Sequence, residues 1–546
     1  MMYDYIIIGA GSAGCVLANR LSADPSQKVL LLEAGDRDKK LEIHIPGAYT
    51  KLNNTKVDWS FWTEPQEHVD GKKIYIPRGK TLGGSSSTNA MAYVRGNKED
   101  YNEWASIGNK GWSYEEVLPY FKKSEHNENF GEPFHGKSGP LNVTHSQQPT
   151  PLGEAFIKAC ESNGIRRNDD YNGAEQMGAS MLQFTIKNNV RHSTASAFLK
   201  PVMQRTNLTV KTGSHVKRII ITEGRATGVE VIAKAGKVEI YLCSREVILS
   251  AGAIQSPQIL MLSGIGDRDM LDRVEIPVVK HLPGVGKNLQ DHIWSGVSGF
   301  TNIPMGNSLI RPWPMFKALV QHLVTKKGPL GNSPLEANAF LKSDPSLDRP
   351  DIQFHLAPIA IAPGYATDIY KLNTFSKKDG YGILVILLRP QSKGFISLKS
   401  NNPLDSPVIQ PQFFSEKRDL DVMLWALKKS IAISSDPAMK AYAPGPIHFP
   451  EGPYSDESLK AHIRKSLETL YHPVGTCKMG NDDMSVVNDK LQLHGIKGLR
   501  VADASIMPTI VSGNTNAACV MIGEKGADLI LQEIAPPRRT QIQQPV

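Results

Sequence analysis

A strand that runs directly into a glycine-rich turn and a helix, with an acid closing the next strand, restricts this chain most. Tyr5-Ile6-Ile7-Ile8 is a short β-branched run of the kind found in central parallel strands. It leads into Gly9-Ala10-Gly11-Ser12-Ala13-Gly14 and then Cys15 to Leu21, a good helical stretch. A second apolar run, Val29 to Leu32, ends in Glu33, 19 residues after Gly14. Gly9 permits the sharp turn, Gly11 lets a pyrophosphate approach the backbone, and Gly14 lets helix and strand pack closely. The helix N-terminus supplies free N–H groups and a partial positive charge for phosphates. Glu33 is placed to accept hydrogen bonds from an adenosine ribose, and its charge repels a 2′-phosphate, which disfavours NADP. These features imply dinucleotide binding, but the turn alone does not choose between NAD and FAD.

Composition removes other classes. Sixty-two Lys and Arg against 54 Asp and Glu give a formal charge of +8, yet no basic run exceeds a few residues, so a nucleic-acid groove is not expected. No apolar segment reaches the ~18 residues of a membrane span. The best run, Ile383 to Leu388, stops at Arg389-Pro390 and reads as a buried strand. Five scattered cysteines, without Cys-x-x-Cys spacing, argue against a disulfide framework or a cysteine zinc site and fit a reducing compartment. No His-x-x-x-His pair is present, so no metal is expected.

Three further segments carry a resemblance. They are Arg78-Gly79-Lys80-Thr81-Leu82-Gly83-Gly84-Ser85-Ser86-Ser87-Thr88-Asn89-Ala90-Met91, the stretch from Gly252-Ala253-Ile254-Gln255-Ser256-Pro257 to Gly266, and the C-terminal pair Tyr471-His472-Pro473-Val474-Gly475-Thr476 and Gly513-Asn514-Thr515-Asn516-Ala517. Together with the first turn they resemble the glucose–methanol–choline (GMC) oxidoreductases, particularly the bacterial alcohol and choline dehydrogenase branch, from residue 3 to about 533. The resemblance implies FAD and a mixed α/β fold, in which a Rossmann-like FAD-binding domain is interwoven with a sheet-plus-helices substrate-binding domain. It implies FAD segments at 1–155, 205–295 and 465–533, substrate segments at 156–204 and 296–464, and a flexible tail at 534–546.

By the same resemblance the cofactor contacts are Gly9, Gly11, Ser12, Ala13, Gly14, Glu33 and Ala34, then Arg78, Thr81, Gly83, Gly84, Ser85, Asn89, Ala90, Met91 and Ala92. Val216, Ala251, Asp503, Ala504 and Asn516 complete the set. The loop Gly83–Met91 is expected along the isoalloxazine, Val216 at the adenine through its backbone, and Asp503-Ala504 at the pyrophosphate. Some choline-oxidising relatives bear, at the place of Thr88, a histidine covalently linked to the flavin; threonine cannot form that bond, so noncovalent FAD is expected.

Oxidising an alcohol removes a hydroxyl proton while a hydride leaves the carbon. A histidine suits the proton without much tuning, and an uncharged donor near the oxygen stabilises the developing alkoxide. His472 and Asn514, 42 residues apart, match the family's His/Asn pair. Asn514 is also a suitable N-cap for a helix over 515–531. Such a helix points its positive end at the flavin pyrimidine, with Asn516 in its first turn.

The expected partners are a small primary alcohol (aliphatic, aromatic or choline-like) and an electron acceptor, quinone or artificial, with O2 left open. A flavin-containing lyase or decarboxylase on the same fold is the other reading. The expected location is the cytoplasm, with contact at the inner membrane open, and the expected assembly is a monomer or homodimer. Glu336 has two readings, a contact for a trimethylammonium group or a solvated carboxylate. Segment 309–324, with Trp313, Met315, Phe316, Leu319, Val320 and Leu323 before Lys326-Lys327, is a lid over the pocket or an amphipathic patch. Trp59, Phe61 and Trp62 read as core or dimer contacts, and Cys477 as a packing residue.

Overall fold

A computed structural model describes residues 2–534. The glycine turn behaves as its sequence requires. The strand Met2–Ile8 is nearly all buried, the helix Ser12–Leu21 follows, and the strand Val29–Glu33 returns parallel to the first with Tyr5 opposite Val29 and Ile8 opposite Leu32. Parallel strands covered on both faces need continuous apolar runs, and these two supply them.

They form the heart of a seven-stranded sheet whose other strands come from distant parts of the chain. Leu208–Thr212 pairs parallel beside Val29–Glu33, and Val238–Leu249 pairs parallel on the other side of Met2–Ile8. Leu499–Val501 joins the end of that long strand, so the chain returns to the first sheet late in its sequence. Arg225–Ile232 and His215–Thr222 extend the other edge as an antiparallel hairpin. The helix Asn516–Ile534 packs on Ser12–Leu21, where Gly523 approaches the backbone of Ala13.

A second seven-stranded sheet is antiparallel throughout. Its order is Ile447–Phe449, Ile293–Phe300, Gly380–Leu387, Ile352–Ala357, Ala337–Leu341 and Gly178–Met181, with Glu468–Thr469 beside Ile293–Phe300. The run Ile383 to Leu388, expected as a buried strand, falls on the strand Gly380–Leu387 inside this sheet, with Leu388 just past its end. The helices Pro151–Ser162 and Lys417–Ser434 bury Phe156, Met423 and Leu427 in the same apolar cluster as its strands. The interweaving is therefore physical, because each sheet needs strands from several chain segments. Near the expected limits at 295 and 465, the strands Ile293–Phe300 and Glu468–Thr469 hydrogen-bond into the second sheet. The expectation for the tail falls beyond residue 534, outside the described residues.

Candidate active site

Two cavities meet between the sheets. The first lies over the glycine turn and is lined by Gly9, Gly11, Ser12, Ala13, Glu33, Ala34, Arg78, Gly84, Ser85, Val216, Ala251, Asp503 and Ala504. The second is lined by Asn89, Ala90, Met91, Ala92, His472, Asn514 and Asn516 among others. Ser12, Arg78, Ser85 and Cys519 line both and mark the junction.

The three glycines divide their tasks as the turn suggests. Gly9 has φ +98°, and a Cβ there would lie 2.5 Å from the Ser250 carbonyl oxygen. A Cβ on Gly14 would lie 1.9 Å from the Gly9 oxygen, so helix and strand touch only because it is absent. Gly11 has no such neighbour; its Cβ would first meet an atom at 3.9 Å, so its outer side is open to the cavity. The helix beginning at Ser12 has no side-chain cap, which leaves its first N–H groups for a ligand. Glu33 is held by the N–H groups of Ala10 (2.9 Å) and Gly35 (2.8 Å), and burial pushes its carboxyl up to about 7. Each carboxylate oxygen keeps acceptor capacity for a sugar hydroxyl. Asp503 is fixed by the N–H groups of Gly252 (2.9 Å) and Ser505 (2.8 Å), which aligns the two chain segments behind the turn. An open glycine, free helix amides and a fixed acid at the far end fit a dinucleotide.

Three expected contacts do not face a cavity. Gly14 serves packing, Gly83 donates its N–H to the Ala10 carbonyl at φ +88°, and Thr81 is buried with its hydroxyl on the Asp36 carbonyl at 2.8 Å. They shape the loop and do not line the site. Asn516 donates to Ser12 Oγ at 2.8 Å and ties the C-terminal helix to the turn. The cap expected at Asn514 is displaced by one residue. The helix starts at Asn516, and the Cys519 N–H bonds to the Thr515 carbonyl, which leaves Asn514 free to face the cavity.

His472 and Asn514 are brought together, with Asn514 Nδ2 3.3 Å from His472 Nε2. His472 follows Tyr471, whose φ of +70° is strained for a bulky residue, and its N–H donates to Asp291 Oδ1 at 2.8 Å. Met91, which also lines the second cavity, has φ +64°. The sequence reading missed His292. Its Nε2 is 3.0 Å from the Leu388 carbonyl, which only accepts, so Nε2 carries the proton. Its Nδ1 is 3.0 Å from His472 Nδ1. Burial pushes His292 down to about 3, so it is neutral and accepts there. His472 Nδ1 therefore carries the hydrogen, and its Nε2 presents a lone pair to the cavity. Burial first, then His292, His355 and Arg78, hold His472 well below the usual histidine value.

Other residues were illegible in sequence. His355 is fully buried with both ring nitrogens unpartnered and lines the second cavity. Arg191 is buried with no carboxylate partner among the described residues; it donates to the Ile43 carbonyl (2.7 Å) and Asn89 Oδ1 (2.8 Å), and so holds the Ser86–Asn89 loop. Trp59, read as core or a dimer contact, lines the first cavity, stacked on buried Phe61 at 5.8 Å with Lys80 Nζ 4.4 Å above it.

Glu336 fits neither expectation. It is 4% exposed, hence not solvated, and its carboxylate accepts from the N–H and hydroxyl of Thr150 at the start of helix Pro151–Ser162, away from both cavities. No carboxylate is among the lining residues of the second cavity, where Trp294, Leu335, Ile359, Ile361, Ile369, Phe375, Leu384 and Leu470 form the apolar wall. No residue of 309–325 lines it either; the helix Pro312–Thr325 lays Met315, Ala318 and Leu319 on Ile45, Ala48 and Leu330, so it is not a lid on the cavity wall.

Comparison with known proteins agrees with this architecture. The GMC oxidoreductase family models match residues 3–294 and 390–523. The chain is 42% identical to an alcohol dehydrogenase [acceptor] of Pseudomonas putida, over 98% of this chain and 96% of that one. It is 41% identical to an oxygen-dependent choline dehydrogenase of Rhizobium etli, over 97% and 96% of the two. A formate oxidase structure from Aspergillus oryzae, from a study of its FAD modification, superposes with a TM-score of 0.89 at 28% identity, covering 97% of this chain and 98% of that one. The chain belongs to the GMC oxidoreductases and is an FAD-dependent enzyme of that family.

Proposed function

We propose that the protein oxidises an uncharged primary alcohol with an apolar chain to its aldehyde, with His472 as base. The observation that carries this reading is the unprotonated Nε2 of His472, oriented through His292 and facing the Asn514 amide, at the wall of a largely apolar cavity with no carboxylate among its described lining residues. FAD, when bound, supplies the hydride acceptor at flavin N5. The adenosine end is assigned to Glu33, Ala34 and Val216, the pyrophosphate to Gly11–Ala13 with Asp503-Ala504, and the ring to Ser85 and Asn89–Ala92 with Asn516. Thr88 lines the second cavity and offers no group for a covalent link, so the cofactor is held noncovalently.

The alcohol hydroxyl takes the place of the direct contact between His472 Nε2 and the Asn514 amide and hydrogen-bonds to both groups. His472 takes its proton as the C–H bond breaks, and the Asn514 amide donates to the oxygen as negative charge grows there. The N-terminus of helix Asn516–Ile534 presents its positive end to the same cavity and favours negative charge there. The alcohol would leave as the aldehyde, its hydroxyl proton held at His472 Nε2 and its hydride going to the acceptor that FAD would supply. Electrons leave to a quinone or another acceptor.

A quaternary ammonium group finds aromatic faces here but no anion, and Arg78 adds a like charge. Choline is therefore disfavoured, although choline dehydrogenases are among the relatives. Anaerobic mixing with aliphatic, benzylic and choline-type alcohols, followed at the flavin band, tests this. Bleaching by apolar alcohols and slow or absent bleaching by choline is expected; efficient reduction by choline alone contradicts it. Turnover with a quinone against O2 alone identifies the acceptor.

A further inference from the structure

The helix Pro312–Thr325 has two apolar faces, and only one of them is covered. Met315, Ala318, Leu319 and His322 point inward, toward Ile45, Ala48 and Leu330 or into the body of the protein. Trp313, Phe316, Val320, Leu323 and Val324 recur at spacings of three and four along the opposite side, at 63%, 55%, 43%, 42% and 78% exposure. Trp313 and Phe316 stack at 5.7 Å and form one ridge, with Lys317 Nζ 5.5 Å from the Trp313 ring. Exposed apolar side chains gathered on one face differ from the scattered ones of an ordinary surface and mark a contact.

The charge around the ridge indicates what it contacts. No Asp or Glu occurs between Asp291 and Glu336, and that stretch carries Arg311, Lys317, Lys326 and Lys327. All four are exposed, and none is in an ion pair among the described residues. An aromatic and aliphatic ridge flanked along its own stretch of chain by cations and no acid is complementary to an anionic phospholipid surface: rings and aliphatic chains enter the headgroup boundary while the cations meet phosphates. No helix among the described residues is long and apolar enough to cross a membrane, so the contact is peripheral.

We propose that the exposed face of helix Pro312–Thr325 docks this enzyme on an anionic phospholipid bilayer. The covered face of the helix lies against Ala48, and Tyr49, next in the chain, lines the substrate-side cavity. Docking thus sets one wall of that cavity close to the lipid, where an apolar alcohol partitions. Only this consequence rests on the proposed substrate; the binding itself is read without turnover.

Flotation of the full-length FAD-loaded enzyme with phosphatidylglycerol–phosphatidylcholine vesicles, or with phosphatidylcholine alone, tests the proposal. Binding is expected with the anionic vesicles and weakens as salt rises. Trp313→Ser with Phe316→Ser, and separately Lys326→Glu with Lys327→Glu, each lower the bound fraction at least tenfold and leave turnover of a water-soluble alcohol unchanged. Failure of the unsubstituted enzyme to float with anionic vesicles overturns the proposal, as does equal binding by both variants. So does a dimer that the Trp313/Phe316 variant splits without any vesicle binding, because the ridge is then an interface between two copies.

Discussion

Acidification probes the His472 assignment without changing a residue. An ordinary histidine near 6.5 is about 90% neutral at pH 7.5 and about 10% neutral at pH 5.5, so a base of that kind loses about tenfold in rate across this range. The environment of His472 excludes that behaviour. The ring is buried, its partner His292 is itself held near 3, His355 is likewise pushed down to about 3 by burial, and Arg78 adds a positive charge. Each factor penalises the imidazolium, so the folded value lies below the free one. The proton-accepting form therefore persists on the acid side of 6.5. The limiting rate of anaerobic flavin reduction, measured by stopped flow at saturating alcohol, should agree between pH 5.5 and 7.5 to within a factor of about two. A tenfold loss centred near pH 6.5 would refute the account of the site's electrostatics.

Other substitutions separate roles that look alike in sequence. Gly11→Ala should leave the fold intact, because its Cβ meets nothing closer than 3.9 Å, yet weaken FAD binding by about tenfold, or 1.4 kcal/mol; flavin release during dilution measures it. Gly14→Ala should instead destabilise the protein by about 1–3 kcal/mol or more, because its Cβ falls 1.9 Å from a backbone oxygen, and thermal unfolding reads that loss. His292→Leu removes the acceptor for His472 Nδ1; FAD stays bound and flavin reduction slows by about 5- to 10-fold, the worth of one neutral hydrogen bond. Glu336→Ala should cost about 1–3 kcal/mol of stability by stranding the Thr150 donors, with the preference among alcohols unchanged.

The parts of the site that were legible in sequence are those where local geometry dictates residue type. The Gly9–Gly14 turn admits only glycine at its crowded points, and the strands beside it announce themselves by continuous apolar runs. His472 and Asn514 came from the resemblance, and the chain folds them to within one hydrogen bond of each other. The rest depends on tertiary contacts that leave no local trace. His292 and His355 sit in stretches whose neighbours satisfy ordinary sheet burial; only the meeting of Ile293–Phe300 with the Tyr471–His472 loop makes His292 a partner. Arg191 looks like any surface cation until its burial beside Asn89 is seen. Glu336 was misread because its partner, Thr150, lies 186 residues away. The helix cap shifted from Asn514 to Thr515 because the asparagine amide faces the cavity and not the helix amides.

The central claim is that His472 accepts the alcohol proton, and His472→Ala tests it most directly. The variant should bind FAD as the unsubstituted enzyme does, because His472 lies at the substrate wall and the glycine turn is untouched. Its anaerobic flavin reduction by the best apolar alcohol should slow by about 10²-fold or more, the loss expected for a general base. Reduction at the unsubstituted rate, with FAD still bound, would remove His472 from the chemistry.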